Sequence, residues 1–443
     1  MSLQAALFPS RGRAGSRALA ACSVLVLLPQ ALAAQPLDNL LRDLRGQGEK
    51  SEASEPLRPE DYPVPLRRGA YATDVYGFRL GSFSLTPLLA AGVTYDSNIF
   101  ATRRDRVADT VFSVAPRLRF GSDWARHGLE LETGLVHRRY ARTASESTTD
   151  AEARLRGWLD IGGDAKLSLS GAAGRLHEPR EAMDAPGALA RPLGYTFYEV
   201  HAVLQKRFND VGLWLSGRSV RFVYDDAVLR NGTRVPSTGR DLVVHELGAG
   251  LAYSVSATTA VFGEILANRR DHLRHGRPDS HGYRALAGID LSAGGMLRAR
   301  LGAGYFEQRY SGGTSGRVGG AAYLAAVDWS PSPLWTISIN GERRVADTVY
   351  GTSAGRVDTG LGATIYYEIA RGIVLRAGAD YWRQDYIANP RRDEVKTLRG
   401  GADYYFHRRV SLGIDYSHTI RKSNFSIYDY SRTFVGLNAQ AKF

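Results

Sequence analysis

The sequence predicts an all-β fold: a transmembrane antiparallel β-barrel of about 18 strands with a short N-terminal periplasmic segment. Three observations predict it. From Ser82 onward nearly the whole chain falls into segments whose apolar residues recur at every second position. The connections between these segments alternate between short and long. The N-terminus reads as an export signal, and beyond it no run of about 18 uncharged apolar residues occurs, which excludes a helical membrane protein.

The first element is the leader, residues 1–33. Arg11, Arg13 and Arg17 supply its charged region, 18–28 its apolar core, and Ala31-Leu32-Ala33 a small-x-small cleavage site, so the mature chain is expected to start at Ala34. Leu19-Ala20-Ala21-Cys22 spells a lipoprotein-type box. The apolar core continues through Val24 to Leu28, however, and such a box must end it, so lipidation is not expected. Cys22 is the only cysteine, and a mature chain without it can use neither disulfides nor thiol chemistry.

Residues 34–81 form the second element, a periplasmic helix and linker. Leu37, Leu40, Leu41 and Leu44 follow helical spacing, with Asp38 and Asn39 as capping candidates, and predict a short amphipathic helix over 36–45. It is either a docked tail, or a lumen plug or handle for a periplasmic partner. A polar, proline-containing linker follows.

The barrel itself is placed over 82–443. Its faces are legible in single strands. Over 295–309, Leu297, Ala299, Leu301, Ala303 and Tyr305 oppose Arg298, Arg300, Gly302, Gly304 and Gln308, with Phe306 as the apolar intruder. Over 149–160 the intruder on the polar side is Trp158, and in the last strand it is Phe434. Short turns are expected at 162–163, 209–210, 256, 294, 330–331, 371 and 407–408. Long connections are expected at 101–108, 178–193, 225–239, 271–280 and 387–392. Tyr95, Trp124, Tyr140, Tyr253, Tyr305, Trp329, Trp335, Tyr381, Tyr416 and Tyr430 lie near strand ends and are candidates for interfacial girdles.

The chain ends on Phe443, after a strand whose Val435, Leu437, Ala439 and Ala441 share its parity. This resembles the closing strand of bacterial outer-membrane barrels, and implies that Phe443 presents the assembly signal to the barrel-insertion machinery. At the other end, Gly81-Ser82-Phe83, Thr86-Pro87-Leu88-Leu89 and Tyr95-Asp96-Ser97-Asn98-Ile99-Phe100 resemble the opening of the putative β-barrel porin type 2 family. That resemblance implies an outer-membrane barrel of a Gram-negative cell, and some members are encoded with exopolysaccharide synthesis. Export of an extracellular polysaccharide, with periplasmic polysaccharide-export components as partners, is therefore the first expectation. A general or sugar-selective diffusion porin is the second, and a structural or adhesive barrel with a plugged lumen the third. Tyr95-Asp96-Ser97-Asn98 also reads as a strand end, since Asp and Asn bond their own backbone, with a ligand or calcium site as the alternative.

No chemistry is expected. Asp271, His272, His275, Asp279 and His281 cluster in one stretch, but Arg269, Arg270, Arg274 and Arg277 beside them would repel a cation. The remaining histidines are scattered, and no nucleophile elbow or zinc motif occurs, so neither enzyme activity nor a cofactor is expected. The formal charge of +12 falls by the three leader arginines to +9. Its cations are spread along strands, which suits a polar lumen or a rim facing lipopolysaccharide better than nucleic acid. Lumen-lining candidates are Arg117, Arg119, Glu130, Glu132, Arg154, Arg156, Arg298, Arg300, Arg356, Asp358, Arg376, Asp380, Arg399 and Asp403, with Arg218, Glu264, Glu342, Arg344 and Asp415 beside them. They either pair across strands and stiffen the wall, or form a field that orients polar or anionic solutes.

Overall fold

A strand with one apolar and one polar face hides the polar face from lipid only by curling it inward, and a sheet loses its unpaired edges only by closing. The chain does both. The computed structural model describes residues 77–182, 189–274, 277–293, 296–311, 316–346, 353–407 and 409–443. The leader, with Cys22, Ala33 and Ala34, and the helix expected over 36–45 lie outside the described residues.

Eighteen strands build the wall: β1 (Phe83–Asp96), β2 (Asp109–Ser122), β3 (Gly128–Tyr140), β4 (Thr148–Ile161), β5 (Ala165–His177), β6 (Gly194–Phe208), β7 (Val211–Tyr224), β8 (Leu242–Ser254), β9 (Thr259–His272), β10 (Ser280–Ala293), β11 (Leu297–Tyr310), β12 (Arg317–Ser332), β13 (Trp335–Ala346), β14 (Gly355–Ala370), β15 (Ile373–Ile387), β16 (Arg392–His407), β17 (Val410–Ser423) and β18 (Tyr430–Lys442). Each pairs antiparallel with its sequence neighbour. β1 also pairs with β18 over 88–96, which closes the barrel. Below that seam Phe443 donates its backbone N–H to the Pro87 carbonyl at 3.0 Å. A short strand, Phe78–Leu80, turns back through Gly81 at φ 63° and covers the part of the β1 edge that β18 does not reach.

The connections sort by end. One end carries turns of two to five residues, the other carries connections of four to seventeen. At the short end the β4–β5 hairpin turns through Gly162 and Gly163 at φ 69° and 84°, a region open to glycine, and β6–β7 through Asn209 at 50°. Two details depart from expectation. The connection expected over 387–392 shrinks to 388–391, and Asp271 and His272 belong to β9 rather than to a loop. Both strands run further because their ladders keep finding partners: Asp385 pairs with Arg392, and Leu242 with His272.

The burial order is inverted relative to a soluble sheet. Large apolar side chains such as Leu247 (70% exposed), Leu437 and Val200 stand on the outer face, while Glu199, Arg284 and Asp290 on the inner face are buried. Aromatics mark the outer rim at the short-turn end: Phe83 stacks on Phe120 at 4.8 Å, Trp124 meets Phe83 edge-on, and Trp335 stacks on Tyr367 at 4.2 Å. Tyr140 and Tyr430, expected in such girdles, share the inner parity instead. Tyr140 stands two positions from inward Arg138, and Tyr430 lies buried under the Arg421 guanidinium. Position near a strand end was a sound signal for a girdle, but parity decides which side of the wall an aromatic takes.

Candidate functional site: the inner wall and its mouth

Every lumen-lining candidate lies on the inner face, and most spend their charge on the wall. In one rung Arg119, Glu132 and Arg154 stand opposite one another on β2, β3 and β4; one step away Glu130 faces Arg156. Signs alternate strand by strand, the arrangement that cross-strand neighbours favour. Arg119 donates to Glu130 at 2.6 Å, and Arg156 lies 3.6 Å from the same carboxylate. Arg218 sits between Glu199 (3.3 Å) and Glu246 (3.0 Å). Arg300 sits between Glu264 (2.8 Å) and Asp290 (3.3 Å). Arg376 joins Asp403 at 2.7 Å to Asp415 at 2.9 Å, the latter two strands away. Arg154 likewise reaches Glu199 across β5. A pair can skip a strand on the concave side, where side chains converge. Arg298–Asp328, Arg356–Asp358, Arg344–Glu342 and Arg399–Asp380 complete the set.

Arg117 and Glu132 make no ion pair among the described residues. Arg117 lies with its stem over Gly134 and its head exposed on the inner face. Arg119 is 52% exposed despite its pair, and Asn340 is exposed on the same face. Solvent therefore reaches the inside of the barrel along β2 and β13.

Large inner side chains lie flat. Trp158 covers Gly128, Trp214 covers Gly250, Phe262 covers Gly288, and Trp382 covers Gly360, each glycine being the direct ladder partner of its ring. In all four pairs the ring occupies the space that a Cβ on the glycine would need, so these positions require glycine. The device holds bulky groups against the wall and away from the axis. It accounts for Trp158 on a polar face. Phe306 and Phe434, the other two intruders, are buried inside the barrel, Phe434 beneath the Arg432 guanidinium at 4.4 Å.

The mouth at the long-connection end is drawn together by charge. After β5 the chain does not rise away from the wall. Glu178 is buried, its N–H bonds to the Leu193 carbonyl at 2.8 Å, and it pairs with Arg240. Arg180 grips the buried Glu146, its Nε donating at 2.7 Å. Glu181 then reaches Arg432 on β18 at 2.8 Å, and its backbone carbonyl accepts from Arg421 on β17. β18 lies five strands from β5 around the closed wall, so this connection leans inward over the lumen. Arg432 also binds Asp96 at 2.8 Å across the closing seam.

Asp96 ends β1 as expected, its Oδ1 accepting the Asn98 N–H at 2.9 Å. Phe100, four residues on, lies between the guanidinia of Arg180 (5.4 Å) and Arg230 (4.7 Å). The stretch from Tyr95 to Phe100 is thus a strand end that also anchors two connections at the mouth. Glu146, Glu178, Arg180, Glu181 and Arg432 carry no local pattern in sequence; they meet through separations of up to 251 residues.

Asp271 is engaged by Arg269 at 2.8 Å. His275 lies outside the described residues.

None of the curated proteins matches this chain. Among solved structures it is similar to the outer membrane protein OpdK of Pseudomonas aeruginosa, with 12% identity, 81% of this chain and 99% of that one covered, and a TM-score of 0.41. It is also similar to OccAB4 of Acinetobacter baumannii (12% identity, 81% and 98% covered, TM-score 0.44) and to a BenF-like porin of Pseudomonas fluorescens Pf-5 (9% identity, 82% and 100% covered, TM-score 0.44). A family model described as putative beta-barrel porin 2 matches residues 71–443, which take in the whole barrel and the short strand before it. The chain belongs to that family, and is an integral outer-membrane β-barrel of the porin kind.

Proposed function

We propose that the barrel is a passive channel for small polar solutes, standing with its N-terminal segment and short turns in the periplasm and its long connections outside. The orientation follows the habit of outer-membrane barrels, whose periplasmic turns are short. The observation that carries the channel reading is the state of the inner wall. Its charges are compensated in place and its rings lie flat, while Arg117, Arg119 and Asn340 on the same face meet solvent. Such a lumen offers water and fixed charge to a small solute.

Polysaccharide export, the first expectation from sequence, receives no support from the family description or the solved relatives. The inward lean of the β5–β6 connection speaks against it, since a polymer needs a passage that stays wide along its length. Liposome swelling tests the choice. Proteoliposomes should admit monosaccharide-sized solutes and exclude oligosaccharides above a sharp size limit. Admission of long glucans at comparable rates would favour the exporter. An epitope after Pro236 should be reached on intact cells, and one after Asn209 should not; the reverse would overturn the orientation.

A further inference from the structure

On the outer face, near the long-connection end, five basic residues stand in a single row across five adjacent strands. His245 of β8 pairs with Arg269 of β9, Arg269 with His281 of β10, His281 with Arg309 of β11, and Arg309 with Arg317 of β12. Neighbouring positions lie about 4.8 Å apart in the hydrogen-bonding direction. All five are exposed, and each of the three arginines keeps more than half of its side chain in solvent. Arg221 adds a further exposed cation on β7. Three carboxylates act on the row, Asp279 adding its charge near Arg269 to those of Asp271 and Glu307. Asp271 binds Arg269, and Glu307 lies between Arg309 at 2.7 Å and Arg317 at 2.5 Å. Arg317 also bonds the Tyr305 side chain, yet all three guanidinium side chains stay more than half exposed on this face.

The surface on the short-turn side of the row is apolar. Leu247, Ile265, Tyr283 and Tyr305 stand exposed, separated by Ala267, Ala285, Ala303 and Ala321, so raised side chains alternate with shallow strips. Cations above alkyl-lined strips, on a face turned to the membrane, complement one kind of partner. We propose that β8–β12 form a binding site for a phosphorylated glycolipid of the outer leaflet. Its phosphates would engage Arg269, Arg309 and Arg317, and its acyl chains would lie along the alanine strips. Guanidinium forks suit phosphate oxygens.

The inference rests on the long connections facing outward. Its test uses detergent-solubilised full-length barrel, where orientation plays no part, so the epitope labelling above judges that reading separately. Native mass spectrometry follows retention of deep-rough lipopolysaccharide, of the same lipid dephosphorylated, and of the phosphorylated lipid with inorganic pyrophosphate as competitor. Wild type should retain the phosphorylated lipid at least tenfold more tightly than its dephosphorylated form. The triple change Arg269→Gln, Arg309→Gln, Arg317→Gln should erase that preference. The corresponding triple change to Lys should keep most of it, and heat-modifiable migration reports that both variants are folded. Unchanged affinity in the folded Gln variant overturns the site. Equal binding of the dephosphorylated lipid, or full displacement by pyrophosphate alone, also overturns it.

Discussion

Glu181 and Arg432 lie 2.8 Å apart although 251 residues and five strands of wall separate them. That contact makes the β5–β6 connection part of the lumen. A hydrogen bond between charged groups contributes about 1.5–3 kcal/mol, so Glu181→Gln should shift the balance of tethered and released states by roughly tenfold or more. Single-channel recording should show it as longer open dwells or a larger mean current, with the barrel's unfolding midpoint unchanged, because Asp96 still holds Arg432. A current trace identical to wild type would mean that the connection does not limit flow.

The wall charges divide into two kinds with opposite expected phenotypes. Arg218 lies between two buried carboxylates, so Arg218→Met removes the guanidinium that both of them meet and should cost about 3–5 kcal/mol in detergent unfolding. Ion selectivity should change little. Arg117 is exposed and makes no ion pair among the described residues, so Arg117→Glu should leave stability nearly unaltered and move the reversal potential towards cations. If Arg298→Glu and Arg300→Glu shift selectivity as strongly as Arg117→Glu without loss of stability, those arginines act as a conducting ladder rather than as wall pairs.

Facing predicts a third contrast. Leu301 stands on the outer face, and arginine there should cost about 2–4 kcal/mol near the membrane midplane. Neighbouring Gly302 faces inward, but Phe262 already lies 3.1 Å from where its Cβ would stand, so a side chain there would crowd that ring. Asn340 is the better comparator, being inward and exposed. Asn340→Arg should be tolerated within about 0.5 kcal/mol. Equal penalties at Leu301 and Asn340 would argue that both faces are buried alike.

These contrasts also show what a sequence can disclose about such a fold. Parity is local: it placed Leu301 outside, Arg300 inside, and the strand count at eighteen, because a period of two survives strand by strand. It even exposed Trp158 and Phe306 as residues on an unexpected face. What parity omits is who stands opposite. The flat packing of Trp382 over Gly360 needs a register between β14 and β15, and the grip of Arg218 on Glu199 and Glu246 needs three strands at once. The mouth was the least legible part. Glu181 sits in a connection without periodicity, and only closure of β1 on β18 brings Arg432 within its reach. Tyr140 and Tyr430 were misplaced in the girdle for a related reason, since nearness to a strand end says nothing of side.

Conduction tests the central claim most directly. Purified barrel in a planar bilayer should give discrete, stepwise currents, with larger or longer openings in Glu181→Gln and a reversal potential that moves with Arg117→Glu. Absence of any step in both wild type and Glu181→Gln, with heat-modifiable migration confirming a folded barrel, would contradict the channel and leave a structural barrel with a filled lumen.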